Sequence, residues 1–188
     1  RFNIEARVRS EVKRVNPEKK TIMVHNLALG GLYEETYDKL ILSPGAAPVR
    51  PPLEGIDMEG IFTMRNVNDT DRVKEYIEEH DVKRALIVGA GFIGLEMAEN
   101  LHESGIQVSV VEMADQVMTP VDYEIATVIH QHFKSKNVGL HLQEAVIAFR
   151  PAEDGIDVVL KSGLVLRVDI VLLSIGVRPD VKLAREAG

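Results

Sequence analysis

Between Arg84 and Glu112 the chain reads RALIVGAGFIGLEMAENLHESGIQVSVVE, and its glycines stand where a dinucleotide's phosphates would need them. The turn is Gly89-Ala90-Gly91-Phe92-Ile93-Gly94. Gly89 permits a sharp exit from a strand, Gly91 leaves room for the backbone to approach a pyrophosphate, and Gly94 lets the following helix pack closely on a sheet. The unpaired amides of that helix start, with the positive end of the helix dipole behind them, suit an anion. Glu112 lies about 20 residues on, where a carboxylate accepts hydrogen bonds from the adenosine ribose hydroxyls. It would repel a 2′-phosphate, and no Lys or Arg stands between Glu112 and Lys134, so NADH is expected over NADPH. Read as an exposed strand-end group, its removal is expected to weaken cofactor binding and leave stability nearly unchanged. The plainer alternative is a glycine turn in some other α/β protein.

The surrounding elements are those that such a site requires. Ala85–Val88 and Val108–Val111 read as buried parallel strands, joined by a helix whose apolar residues Leu95, Ala98 and Leu101 share one face and whose end is marked by Gly105. Residues 68–79 predict a helix with Asp69 or Asp71 near its start, and 122–136 another. Val138–Leu142 is expected as a third parallel strand. Ala145–Phe149, Ile156–Leu160 and Leu164–Arg167 read as an antiparallel β-meander, after which Asp169–Ser174 returns as an apolar parallel strand closing at Gly176. Upstream the pattern is β: alternation from Arg1 through Ile4, Ala6 and Val8, a turn at Asn16-Pro17, a strand through Ile22 and Val24, a Gly30-Gly31 turn, and an apolar strand over Tyr37–Leu42. Pro48 to Pro52 forms a stiff connector.

Composition excludes several classes. With 188 residues, 45% hydrophobic and a net charge of −7, a nucleic acid or an anionic membrane is not expected as the main partner. No apolar run reaches the roughly 18 to 20 residues of a membrane span, and no signal-peptide pattern opens the chain, so a cytoplasmic location is expected. With no cysteine, disulfides and thiolate chemistry within this chain are excluded. The six histidines form no metal-ligand pattern; His130 and His132 read as surface or packing residues. No residue stands out as a catalytic acid, base or nucleophile.

Four stretches together resemble the flavoprotein pyridine nucleotide-disulfide oxidoreductases, and within them the coenzyme A disulfide reductase, NADH oxidase and NADH peroxidase branch: YDKLILSPGAAP from Tyr37, FTMRNVNDTDRVK from Phe62, VGAGFIGLEMAENL from Val88 and DIVLLSIGVRPD from Asp169. The resemblance implies an α/β chain: residues 1–64 as a β-rich remnant of an FAD-binding domain, and 65–188 as a Rossmann-like NAD-binding domain with a parallel sheet and the meander. It implies that Ser43, Pro44, Gly45 and Ala46 approach the flavin, that Gly176 lies beside the NAD, that Phe92 covers the flavin until nicotinamide arrives, and that Glu96 lies near the nicotinamide and flavin edge. Without the resemblance these are a strand stop, a glycine turn, a packing aromatic and a solvated helix carboxylate.

The family's N-terminal FAD-binding glycine motif, its redox cysteine, a later FAD contact and a dimerisation domain find no counterpart here. The chain is therefore expected to be the NADH-binding portion of an FAD-dependent, homodimeric NAD(P)H oxidoreductase, and by itself colourless and inactive. Ferredoxin, rubredoxin or nitrite reductase-type flavoprotein reductases share nearly every motif, and a non-catalytic NAD-sensing module could carry the same βαβ unit but would need neither the two flavin-side turns nor the aromatic at Phe92.

Overall fold

The computed structural model of the chain describes residues 4–188; the first three residues of the expected β-rich stretch lie outside them. The chain forms two compact units, Arg1–Ala47 with Pro179–Gly188, and Pro48–Arg178. In the first unit β1 (Ser10–Asn16), β2 (Thr21–Asn26) and β3 (Leu32–Thr36) make an antiparallel sheet in the order β1-β2-β3. Opposed Val15 and Ile22 lie two residues along β2 from the opposed Val24 and Tyr33, and Val15 and Val24 are buried. Tyr37–Leu42, expected as a further strand, is not one. No described strand pairs with it, and Ile41 is 89% exposed; apolar sequence without a neighbouring ladder does not make a sheet. The short strand β4 (Ala46–Pro48) carries the chain into the second unit.

The second unit alternates strand and helix: β5 (Ile61–Thr63), α1 (Val67–Glu79), β6 (Arg84–Val88), α2 (Phe92–Glu103), β7 (Gln107–Glu112), α3 (Tyr123–Ser135) and β8 (Gly139–Leu142). Then come β9 (Val146–Ala152), β10 (Gly155–Leu160), β11 (Val165–Val168) and β12 (Ile170–Leu173); β13 (Val177–Pro179) leads back to the first unit, which ends in α4 (Lys182–Ala187). The parallel sheet has the order β5-β12-β6-β7-β8, and β9 to β11 form the expected antiparallel meander. This is a Rossmann-like α/β arrangement.

Strand periodicity divides the core in two. Ala85, Ile87, Val108, Val110, Ile170 and Leu172 pack toward the helices with Val73, Ala98, Ala126 and Phe133. Leu86, Val111, Val171 and Leu173 point the other way, onto Phe149, Ile156, Val158 and Leu160 of the meander. By packing, the two compact units part at 47/48. Leu53 and Ile56 belong to the meander-side core, Ile61–Thr63 is an edge strand of the parallel sheet, and Pro179–Gly188 rejoin the first unit.

The start of α1 carries a side-chain cap. Asn66 caps α1, accepting from the Asp69 amide while the Asp69 carboxylate accepts from the Asn66 amide, the reciprocal arrangement that satisfies two orphan donors. Gly105 follows the end of α2 with φ of +83°.

Candidate functional site

From β6 the chain runs outward through β7 to β8, whereas β12 and β5 lie on its other side. Where such a strand order reverses, the loops at the carboxyl ends part and leave a crevice. A groove of about 450 Å³ occupies that place, lined by Val88 and Gly89 after β6, Glu112 and Met113 after β7, and Ser174 and Gly176 after β12. Pro51, Leu53, Val146 and Phe149 line it as well. Its surface is largely apolar, and it includes two carboxylates, Glu112 and Glu144, but no Lys, Arg or His.

The three glycines differ in what they allow. Gly89 has φ of +100°, and a Cβ there would lie 2.5 Å from the Ser174 carbonyl oxygen, so both conformation and space require glycine. A Cβ at Gly94 would strike the carbonyl oxygen of Gly89; that closeness seats α2 on the sheet. At Gly91 a Cβ would meet nothing within 4 Å, which leaves the backbone open to a ligand. Gly91 is also the N-cap of α2 and supplies no side-chain acceptor, so the first-turn amides remain available to phosphate oxygens.

Glu112 is more than a free strand-end carboxylate. One oxygen accepts the Ala90 amide at 2.7 Å and the other the Ala114 amide at 2.9 Å. Each carboxylate oxygen keeps a second lone-pair site for a ribose hydroxyl. The two bonds correct the expectation that its loss would leave stability unchanged, because both amides would lose their acceptor.

The other expected residues fall in several places. Gly176, with φ of +102° and open space around it, lines the groove, and its carbonyl accepts the Val49 amide. Phe92 and Ile93 stand at the start of α2, 66% and 48% exposed. Glu96 is exposed and lines a separate groove between α2 and α3. Ser43, Pro44, Gly45 and Ala46 belong to the other unit, where Gly45 has φ of +81° and its carbonyl accepts the Asp180 amide.

Three residues were not singled out by sequence reasoning: Glu144 and Ser174 in the groove, and His130 on α3. Glu144 follows β8 and joins the groove wall; the rule that ligands sit at the carboxyl ends of parallel strands would have found it. The hydroxyl of Ser174 is buried without a hydrogen-bond partner, next to Gly176. His130, read as a surface or packing residue, accepts the Val117 amide on its Nε2 at 3.2 Å. Among the described residues no group of three or more His, Asp or Glu could hold a metal, and no helix is long and apolar enough to cross a membrane.

Residues 1–188 match the pyridine nucleotide-disulphide oxidoreductase family. The chain is 37% identical over 160 residues to an NADH oxidase of Methanocaldococcus jannaschii, covering 85% of this chain and 36% of that protein. It is 34% identical over 180 residues to a coenzyme A disulfide reductase of Staphylococcus haemolyticus, covering 96% of this chain and 39% of the relative. The crystal structure of reduced Bacillus anthracis CoADR-RHD superposes with a TM-score of 0.93 at 49% identity, over all of this chain and 33% of that one. The chain thus spans well under half the length of these relatives.

Proposed function

The chain belongs to the pyridine nucleotide-disulphide oxidoreductase family, and from that premise we propose that it is the NADH-binding portion of an FAD-dependent NAD(P)H oxidoreductase of the coenzyme A disulfide reductase or NADH oxidase type. The observation that carries this reading is the groove at the strand-order reversal, where an uncapped helix start, a glycine with open space at Gly91 and a carboxylate at Glu112 stand together.

The residues fit a dinucleotide. The amides that open α2 would bind the pyrophosphate. Glu112 would accept the adenosine ribose hydroxyls while holding the Ala90 and Ala114 amides. Gly176 and Ser174 would flank the nicotinamide half at the end of β12. Leu53, Val146 and Phe149 give the groove an apolar wall that limits water, and the exposed Phe92 ring is free to cover the redox face. When bound, the nicotinamide supplies a hydride to flavin, and the protein's share of that reaction is binding, orientation and exclusion of water. With two carboxylates and no cation lining the groove, a 2′-phosphate meets only repulsion, which supports NADH over NADPH.

Because the chain covers 36% and 39% of its curated relatives, the flavin reaction and a homodimeric assembly are proposed for a longer protein that includes this portion. Titration calorimetry tests the reading on this chain: NADH should bind with micromolar to millimolar affinity and NADPH more weakly. Absence of NADH binding, or a preference for NADPH, overturns it.

A further inference from the structure

The backbone of Ala90, between the first two glycines of the phosphate turn, is held on both sides. Its N–H donates to Glu112 at 2.7 Å and its carbonyl accepts the Met118 amide at 2.9 Å. Met118 lies in the segment between β7 and α3, buried, with φ of +51°. The residue before it, Val117, is fully buried in the helix-side core, and its amide donates to His130 Nε2 on α3 at 3.2 Å. Two successive amides therefore pin this segment, one to α3 and the next to the phosphate turn.

A backbone amide can only donate. The ring nitrogen that faces it must offer a lone pair, so the contact exists only with His130 neutral and its proton on Nδ1. A second ring proton would set N–H against N–H and leave a buried donor without a partner.

We propose that His130 is a positioning residue for the dinucleotide. Neutral, it fixes the 113–121 segment, and through Met118 the Ala90 peptide and its bond to Glu112; protonated, it releases that segment and weakens NADH binding. The inference rests on the groove being the NADH site. On α3 the ring of Tyr123 meets the imidazole edge-on at 6.3 Å, and Lys134 follows one turn further along the helix; the held segment carries Asp115, Asp122 is the N-cap of α3 and Glu112 ends β7. The cofactor's phosphates attract positive charge, so a charged imidazole would by itself strengthen binding. A loss of affinity toward acid therefore reports the broken hydrogen bond and not the added charge.

Two measurements on the full 188-residue chain test this. Protection of the Val117 amide from hydrogen exchange, which needs no cofactor, should fall between pH 7.5 and 5.5. In His130→Gln, whose side-chain oxygen accepts a hydrogen bond but takes no proton, protection should persist at both values. NADH affinity should drop about fivefold or more over the same interval in the unsubstituted chain, the low end of usual coupling between linked sites. It should be flat in His130→Gln and weak at both pH values in His130→Leu. The proposal is overturned if His130→Gln keeps the acid loss, if His130→Leu binds NADH like the unsubstituted chain at pH 7.5, or if Val117 protection is insensitive to pH. If Val117 responds as expected while NADH binds at no pH, the groove reading itself has failed and the coupling falls with it.

Discussion

A methyl group at Gly94 would meet the backbone oxygen of Gly89, and neither partner can rotate away as a side chain could. Gly94→Ala must therefore lift the start of α2 off the sheet. Overpacking of this kind costs about 1 to 3 kcal/mol, and the lifted amides no longer converge on the phosphates. Chemical denaturation and NADH titration should both register the change; a variant that keeps full affinity would mean that the helix start is not the phosphate site. Glu112→Ala should act through two routes. Losing hydrogen bonds from the ribose should weaken NADH by roughly 1.5 to 3 kcal/mol, and the Ala90 and Ala114 amides, left without their acceptor, should lower stability by about 1 to 3 kcal/mol. An unchanged NADH to NADPH affinity ratio in a folded variant would remove the carboxylate from cofactor reading. The glycines were legible in the sequence because their steric need is written in the residue type. The second role of Glu112 was not, since a bond to a backbone amide leaves no mark on the residue that donates it.

At the level of elements, the same contrast separates local signals from long-range ones. The helix expected over 68–79 is Val67–Glu79 and that over 122–136 is Tyr123–Ser135, because caps and apolar spacing act within a few residues. The meander and the returning strand β12 were likewise readable from apolar runs and turn glycines. Tyr37–Leu42 looked equally strand-like, but a strand needs a partner that its own residues do not specify. The edge strand β5, only three residues long, carried too little pattern to be recognised. Long-range charge pairing was also invisible: Asp169, just before β12, accepts the Lys83 and Arg84 amides at 2.9 and 2.7 Å and a bidentate contact from the Arg84 guanidinium, joining the starts of β6 and β12. Burial alone would raise the Asp169 carboxyl, but the Arg84 guanidinium and the two amides outweigh it and hold it below the usual range. With the folded value depressed, this carboxylate stabilises the protein above the unfolded aspartate value of about 3.9, and that contribution is lost as pH falls through the folded value. Asp169→Asn should therefore cost about 1.5 to 3 kcal/mol at neutral pH, the usual worth of hydrogen bonds to a charged group. The gap should close in acid, as urea titrations across pH can measure; a gap independent of pH would show that packing, and not the charge, is responsible.

Over the whole molecule, stability should be distributed unevenly between the two units. Among the described residues the first unit buries only Val15 and Val24, whereas the second holds both hydrophobic clusters. A three-stranded sheet with so little apolar burial is marginal by itself, so amides of β1 to β3 should exchange through openings of low free energy. Those of β6, β7 and β12, central in a sheet covered on both faces, should require global unfolding of their unit. The groove is built wholly from residues of the second unit. A ligand that binds only the folded site stabilises it by about 2.7 kcal/mol when present at 100 times its dissociation constant. NADH at that excess should slow exchange throughout β6, β7 and β12 and leave β1 to β3 unchanged, as hydrogen exchange read by mass spectrometry can resolve. Equal protection of both units would mean that they unfold as one cooperative body, and protection of β1 to β3 alone would place the cofactor outside the groove at the strand-order reversal.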